Sequence, residues 1–361
     1  MNLKKVSILA GLCCLLTIPC FLLSSLARER KLRKSQVTQD IALSWTRKQK
    51  FLGPFLVIPY RIILGVEQSK LVSGKQPTSG KQPISGKQPT SEHQTGAKTA
   101  FSVSSTKGLG YPAKKTNNIR YARRKIHMVL PATLNIQGEI LTQRRYRGIY
   151  RVPVYTAKLR GKGSFVVPSW LKDARIQKPY LAFGVLDNRG IRKMNVTWHQ
   201  RELNIVPGSG LKFHAMGAHA PLTLDAKDVG TSHTFRFALD IQGMETFHFV
   251  PVGQHTQVSL RSAWKNPSFL GKYLPEKRHV KKKGFQALWN ISSLASNVEQ
   301  HFQNCAKRQY CSSFLSNSFG VSFLEMVDIY QQTERSLKYS LLFIGLTFVF
   351  FVLFEMLKQL R

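Results

Sequence analysis

Two runs of apolar residues, one near each end of the chain, dominate the hydrophobic pattern. Residues 6–27 contain no charged side chain, and residues 339–357 contain only Glu355. At about 1.5 Å per residue, a helix over the first run measures roughly 33 Å, enough to cross a hydrocarbon core of about 30 Å. Both runs therefore predict membrane-spanning helices, the first as an uncleaved anchor, with everything between them on one side of the bilayer.

Between the two runs, apolar and polar residues alternate in short stretches separated by Gly and Pro turns, as expected of half-buried strands. The clearest alternation covers residues 235–241, which we expect to form a hairpin with residues 247–249. Trp264 and Trp289 fall on the apolar side of neighbouring stretches. The pattern predicts a mainly β, antiparallel β-sandwich-like domain, flanked by N-terminal and C-terminal transmembrane α-helices. That this domain is extracytoplasmic is implied only by the resemblance described below.

The pattern divides the chain into three segments. Residues 1–52 hold the first span and a basic juxtamembrane helix, which we expect to continue to the Gly53-Pro54 break. Residues 53–327 form the β-rich domain, which the resemblance described below places in the periplasm. Residues 328–361 hold a juxtamembrane helix and the second span, at about 339–357.

A hexapeptide repeat interrupts the β-rich segment. Residues 73–90 contain three copies rich in Ser, Gly, Lys, Gln and Pro, a composition that cannot bury a core. Residues 68–106 are therefore predicted to be a disordered loop that folding does not require.

The charge narrows the range of partners. The chain has 54 Lys and Arg residues against 18 Asp and Glu, a net charge of +36. Such a surface attracts anionic lipid, anionic polymers or nucleic acid without defining a site. The densest basic stretch, residues 276–284, lacks interleaved aromatic residues and a known nucleic-acid module, so we expect no specific nucleic-acid binding. The expected partners are the lipid bilayer, anionic envelope components or other membrane proteins, and a homo-oligomer is allowed.

Five cysteines are present, and three of them lie inside the first span. The other two, Cys305 and Cys311, could form a bridge in an oxidising compartment or remain free thiols, and the sequence leaves both alternatives open.

Motifs that would indicate a reaction are missing from the sequence. His214 and His219 fit no standard zinc spacing, and residues 207–212 fall short of a complete phosphate-binding loop. We therefore expect no catalytic, cofactor-binding or metal-binding residues, and no cofactor.

The charges that flank the first span do not decide on which side of the membrane the β-rich segment lies. Two cations precede the first span, whereas five follow it within residues 28–34, which favours a cytoplasmic domain by local counting. Long domains cross the membrane largely regardless of charge, so the opposite orientation stays open.

The chain resembles the CreD family of inner membrane proteins. The motifs that carry the resemblance are GPFLVIPY at 53–60, VLPATLNIQGEI at 129–140, RRYRGIY at 144–150, LDNRGI at 186–191, PGSGL at 207–211, GAHAPL at 217–222, SAWKNPSFLGKYLPEKR at 262–278, GFQALW at 284–289 and TERSLKYSLLFIGLTFVFFVLFE at 333–355. The resemblance covers nearly the whole chain apart from the hexapeptide loop.

The resemblance implies a multi-pass inner membrane protein with a periplasmic domain, no established enzymatic activity, and a link to envelope integrity or stress tolerance. Our first hypothesis is a non-enzymatic protein that binds or senses an envelope component. Alternatives from other classes are a membrane-anchored periplasmic hydrolase and a subunit of a transporter or pore. The resemblance also implies further helices beyond the second span, whereas this sequence ends at Arg361. Glu355 would then mark a helix-packing position, or pair with Lys358 at the interface.

Overall fold

A computed structural model describes residues 3–67, 118–308, 311–323 and 329–359. Its helices are α1 (Leu3–Ser44), α2 (Ser293–Ser296), α3 (Val298–Arg308), α4 (Ser312–Ser316) and α5 (Ile329–Gln359). Its strands are β1 (Gln49–Glu67), β2 (Asn118–Tyr121), β3 (Lys125–Val129), β4 (Thr133–Arg147), β5 (Tyr150–Val166), β6 (Ala174–Ile176), β7 (Tyr180–Gly184), β8 (Ile191–Trp198), β9 (Arg201–Leu203), β10 (Val206–Pro207), β11 (Gly217–Pro221), β12 (Ser232–Met244), β13 (Thr246–Phe249), β14 (His255–Ser262), β15 (Ser268–Gly271), β16 (Lys277–Lys281), β17 (Gly284–Ser292) and β18 (Phe319–Ser322).

The chain divides into two compact units, residues 1–61 with 124–361 and residues 62–123. In the smaller unit, the end of β1 pairs antiparallel with β2, from Ile63 opposite Tyr121 to Glu67 opposite Asn118. The predicted disordered loop at 68–106 lies within residues 68–117, which are outside the described residues. The proposed boundaries of the three segments remain predictions.

Two sheets build the larger unit. One has the order β10-β11-β7-β1-β13-β18-β15, with β3 and β6 also pairing with β1; the other, called here the eight-stranded sheet, has the order β16-β17-β14-β4-β5-β12-β8-β9. Nearly all pairings are antiparallel, but β1 runs parallel to β13, and β4 runs parallel to β14. The predicted mainly β, sandwich-like class is confirmed, while both sheets are mixed rather than purely antiparallel.

One hydrophobic core lies between the two sheets. Phe51 of β1 stacks on Phe237 of β12 with ring centroids 5.5 Å apart, and Phe183 of β7 meets the same Phe237 edge-on at 5.4 Å. Gly161 of β5 lies under the ring of Phe237, where a Cβ would overlap it. Glycine is therefore required at this inward position, since the ring occupies the space of a side chain.

The two tryptophans predicted to face the core do so. Trp289 is fully buried, its indole N–H donates to the Tyr273 carbonyl at 3.2 Å, and Trp264 is 9% exposed. The expectation that they belong to one core is confirmed.

The predicted hairpin of residues 235–241 with 247–249 is wrong. β12 pairs with β5 and β8 in the eight-stranded sheet, whereas β13 pairs with β1 and β18 in the other sheet. Glu245, between the two strands, has a φ of 57°, a left-handed conformation that turns the chain from one sheet to the other. Alternating residues define two strands, but they do not reveal which sheet each strand joins.

The juxtamembrane helix ends earlier than predicted, because α1 stops at Ser44 and the chain is already extended from Gln49. Thr46 and Gln49 are fully buried, and both donate to the Gln242 carbonyl of β12. These side-chain hydrogen bonds hold the chain to β12 just after the helix ends.

The two long helices α1 and α5 lie side by side. The Cys20 thiol is 3.5 Å from the Ser340 hydroxyl, and Lys31 pairs with Glu334 at 3.6 Å. Segments 11–44 and 332–358 are long and apolar enough to cross a membrane, and their described apolar side chains are mostly exposed. Exposed Leu and Phe side chains over this length are expected of lipid-facing helices.

Candidate functional site: the outer face of the eight-stranded sheet

The eight-stranded sheet covers the core with one side and turns the other, its outer face, to solvent. Alternation along each strand places polar side chains on this outer face, as in β12, whose buried and exposed residues alternate almost without a break. The register of neighbouring strands then sets which of these polar residues stand side by side.

One row of the outer face, called here the balanced row, has three bases and two acids, so that each base stands beside an acid. Across five neighbouring strands it alternates between base and acid, in the order Arg261, Glu139, Lys158, Asp240 and Lys193. Arg261 and Glu139 form an ion pair at 3.2 Å. Opposite charges on adjacent strands stabilise such a pairing.

The next two rows are not balanced. Lys162 of β5 stands directly opposite Arg236 of β12, and Arg160 stands opposite Ala238. Like charges directly opposite each other destabilise a sheet. All three cations are exposed, and none has an ion-pair or hydrogen-bond partner within the described part of the chain. We call Arg160, Lys162 and Arg236 the cationic cluster.

A depression of about 720 Å³ lies over the cationic cluster. The small side chain of Ala238 keeps its floor low. Its other polar lining residues are Asn135, Gln137, Asn195, Thr197, His199, Gln200 and Thr234. The depression is therefore a cationic hollow surrounded by neutral hydrogen-bonding groups.

His199 lines this depression, and its ring contacts that of His233. His233 is buried, its ring is stacked on Trp198, and its Nε2 lies 2.8 Å from the Asp228 carbonyl oxygen. A carbonyl oxygen can only accept, so Nε2 of His233 donates to it, and Nδ1 of the same ring lies 2.6 Å from Nε2 of His199. This contact orients the His199 ring, and Nδ1 of His199 takes no part in it.

The junction between α1 and the β domain forms a second ordered polar site. The Arg189 guanidinium donates to the carbonyls of Ala42 and Leu43 at 2.9 and 2.6 Å, closing the C-terminal end of α1. It also donates to both carboxylate oxygens of Asp187, at 3.0 and 2.6 Å. The hydrogen bond from Arg189 lowers the pKa of Asp187 below its ordinary value, against the opposing effect of burial.

The histidines that the sequence singled out have other partners. The ring Nε2 of His214 lies 2.7 Å from the Val185 carbonyl oxygen, and Nδ1 of His219 lies 2.6 Å from that of Gly208. Residues 207–212 form a turn in which Gly208 and Gly210 have positive φ angles of 86° and 71°. Among the described residues, no group of three His, Cys, Asp or Glu side chains could hold a metal ion.

The remaining sequence candidates are separate from the cationic cluster. Cys305 and Cys311 form a disulfide that joins α3 to the start of α4. Most of the basic stretch 276–284 is the edge strand β16 and its turn into β17. Glu355 lies within α5, but its side chain is outside the described residues.

A Ser/His contact, which a hydrolase would need, occurs elsewhere. The Ser313 hydroxyl lies 2.9 Å from Nδ1 of His301, on the exposed surface of α3 and α4. In the described part of the chain, no carboxylate orients the other nitrogen of this His301 ring. The contact lacks the third group that activates a nucleophile.

The sequence pattern alone does not predict the cationic cluster. Alternation with apolar residues places Lys158 and Arg160 on one side of a strand, which indicates an exposed basic face but not its neighbours. The meeting of Lys162 with Arg236 depends on pairing across about 70 residues, which alternation alone does not define.

Comparison with known proteins places the chain in a family. The family model described as Inner membrane protein CreD matches residues 1–361. The chain belongs to the CreD family. It is 29% identical over 363 residues to the Inner membrane protein CreD of Escherichia coli strain K12, an alignment that covers 99% of this chain and 69% of that protein. This CreD-family chain is accordingly an inner membrane protein with membrane-spanning helices.

Among solved structures, the CreD-family chain has weak similarity to an M1 zinc metallopeptidase from Deinococcus radiodurans. A mutant bound to a Tyr-Ser-Ala substrate aligns with a TM-score of 0.23 and 8% identity, over 45% of this chain and 39% of that one. A second structure of that enzyme gives 0.21 and 8%, over 45% and 38%. Similarity at this level carries no argument about fold or activity.

Proposed function

We propose that this inner membrane protein is a non-enzymatic binding protein of the cell envelope. In this proposal its β domain lies in the periplasm, receives an anionic envelope component on the outer face of the eight-stranded sheet, and contributes to envelope integrity or stress tolerance. The observation that carries the proposal is the cationic cluster, three exposed cations with no acidic partner in the described residues.

The disulfide supports the periplasmic side. Disulfides persist in oxidising compartments such as the periplasm and are rare in the cytosol. Cys305 and Cys311 are bridged, whereas the three free cysteines, Cys13, Cys14 and Cys20, all lie in the apolar part of α1. This distribution outweighs the local charge count after the first span, since long domains translocate largely regardless of charge.

The orientation can be tested with reporter fusions after Thr90. Alkaline phosphatase is active only in the periplasm, so this fusion is expected to be active, and a cytoplasmic reporter fused at the same place is expected to be inactive. An inactive phosphatase fusion together with an active cytoplasmic reporter would overturn the periplasmic assignment.

The binding function can be tested with the full chain in zwitterionic nanodiscs. We expect the protein to co-sediment with peptidoglycan sacculi or to bind lipopolysaccharide at about 0.1 M salt, where exposed charges still act over about 10 Å. Replacing Arg160, Lys162 and Arg236 together by Gln should reduce retention several-fold. Absence of binding to both materials, or full binding by the triple variant, would contradict the proposal.

A hydrolase and a subunit of a transporter or pore remain rival functions, and the described residues offer little to either. The Ser313–His301 contact is exposed and lacks an orienting carboxylate, as described above. The polar contacts described between α1 and α5 include a thiol–hydroxyl contact and an ion pair, and these two by themselves do not form a polar path across a bilayer.

A further inference from the structure

The cationic cluster can be assigned a more specific ligand, in an inference that rests on the proposed binding function. We propose that the depression over Arg160, Lys162 and Arg236 binds a phosphate-bearing saccharide, such as a phosphorylated glycan or a sugar phosphate. The phosphate lies between Lys162 and Arg236, and the saccharide contacts the neutral residues around them.

The spacing of the cations suits a phosphate. Directly opposed residues on antiparallel strands have Cβ atoms about 5 Å apart, so one group can contact both Lys162 and Arg236. Arg160, one row away and opposite the small Ala238, reaches the same depression. A carboxylate carries one charge, whereas a phosphate monoester carries up to two and offers three oxygens. Arg presents a planar fork of donors to such a group, and Lys adds a compact charge.

The surrounding residues suit a saccharide. Asn195 donates its amide N–H to Glu202 at 2.7 Å, and Asn135 donates to Gln257 at 2.6 Å. These bonds orient both Asn side chains and leave their carbonyl oxygens to accept from sugar hydroxyls. Phe235 and Phe237, the aromatic residues that line the depression, are buried, so recognition is polar rather than by ring stacking.

The location of the cluster separates it from the place where α1 meets the β domain. From Ala27 to its end, α1 extends roughly 25 Å beyond the apolar run. The end of the β4–β5 hairpin lies beside this part of α1, where Arg147 pairs with Asp40 at 3.2 Å. Lys162 is twelve residues along β5 from Tyr150 at that hairpin end, a distance of roughly 40 Å. Since the cluster lies far from this junction, the proposed ligand is a soluble molecule or a polymer, and the lipid arm of the test below distinguishes it from a membrane surface.

The test is calorimetric titration of the full chain in phosphatidylcholine nanodiscs. The probes are inorganic pyrophosphate, glucose phosphate, glucuronate, glucose and, separately, vesicles of anionic lipid. The variant Lys162→Gln/Arg236→Gln removes the opposed cations. The matched control, Lys158→Gln/Lys193→Gln, removes the same charge from the balanced row, where both lysines stand opposite Asp240.

We expect both phosphate probes to bind, and glucuronate and glucose to bind at least about tenfold more weakly. The Lys162/Arg236 variant should lose at least about tenfold in affinity for the phosphate probes, and the control variant less than about twofold. Glucuronate binding as tight as glucose phosphate, or equal losses in both variants, would overturn the phosphate assignment. Retention on sacculi without binding of either phosphate probe would overturn it too, while leaving the proposed function intact. Tight binding only to vesicles of anionic lipid would show that a membrane is the ligand, against this inference.

Discussion

At the residue scale, two pairs of opposed residues on neighbouring strands have unusual electrostatic surroundings. Lys162 and Arg236 face each other with like charge, and His248 of β13 stands opposite Lys50 of β1. Burial first, and then the charges of Lys50 and Lys48, lower the pKa of His248 from 6.5 to about 4. In both cases the register of two strands, rather than the residue type, creates the unusual environment.

The lowered pKa of His248 predicts a loss of stability on acidification. The folded state holds His248 neutral until about pH 4, whereas the unfolded chain binds the proton near pH 6.5. Stability from this group is therefore fully present above about pH 7 and is lost as the pH falls towards 4, by up to about 3 kcal/mol. When the pH is lowered from 7.5 to about 4, the melting temperature should fall less steeply for His248→Gln than for the natural chain. The same substitution at exposed His279 is the control, and an unchanged slope in His248→Gln would refute the argument.

Trp289 provides a second test at this scale. It is fully buried, and its ring lies 5.7 Å from Phe269 and 5.5 Å from Phe319. Trp289→Ala should cost about 3 to 5 kcal/mol in the free energy of unfolding, because it leaves a cavity and an unpaired Tyr273 carbonyl. Trp170 is 46% exposed, so Trp170→Ala should cost only about 1 kcal/mol in the free energy of unfolding. Denaturant titration of both variants measures the two costs. Equal effects at both positions would contradict the core assignment.

At the element scale, contacts from elsewhere in the chain decide where elements end. The apolar and basic pattern after the first span continues past Ser44, but Arg189 closes α1 there by binding the carbonyls of Ala42 and Leu43. Gln49 then bonds to the backbone of Asp187 and Gln242. The LDNRGI motif, which contains Asp187 and Arg189, thus acts as the clamp between α1 and the β domain.

Removing the clamp should loosen the end of α1. Arg189→Ala deletes the bonds to both carbonyls and leaves the carboxylate of Asp187, which is 8% exposed as a residue, without its cation. We expect a cost of about 2 to 3 kcal/mol, together with faster hydrogen exchange at the amides of residues 41–46. Arg192→Ala, which removes one exposed hydrogen bond to Gln242, is the matched control. If exchange in α1 is unaffected by Arg189→Ala, the clamp does not hold the helix.

At the scale of the whole molecule, the larger unit joins the membrane helices to the β domain through packed contacts. Ile41 of α1 is buried against Val152, Val154 and Met244, and Arg145 lies over the Trp45 ring at 4.7 Å. The helix is therefore packed on the domain rather than joined to it by a free linker. This contact fixes the end of the eight-stranded sheet that lies nearest α1, and the cationic cluster lies towards the other end.

We expect the hexapeptide repeat to contribute little to the stability of the whole molecule. Its Pro, Gly, Ser and Lys content cannot repay the entropy of ordering it, so deletion of residues 73–90 should change the melting temperature by no more than about 2 °C. Deletion of the three described residues Arg201–Leu203, which form the edge strand β9, is the contrasting control and should lower it. A drop of many degrees on removing the repeat would show that it packs against folded residues.

The sequence by itself determined the two membrane spans and the mainly β class. These properties follow from local signals, namely the length of an apolar run and the period of alternation along one strand. The resemblance to the CreD family also rests on short motifs spread along the chain. The family model, which matches residues 1–361, confirms it.

Only the tertiary structure decided which strands are neighbours. That β12 and β13 join different sheets, that α1 ends at Ser44, and that Lys162 meets Arg236 all depend on partners distant in the chain. A period of two residues specifies which face a side chain occupies, but it is identical for every partner strand and for every register shifted by two. The cationic cluster therefore became visible only once packing of the core had selected one register, because that choice sets the charges side by side.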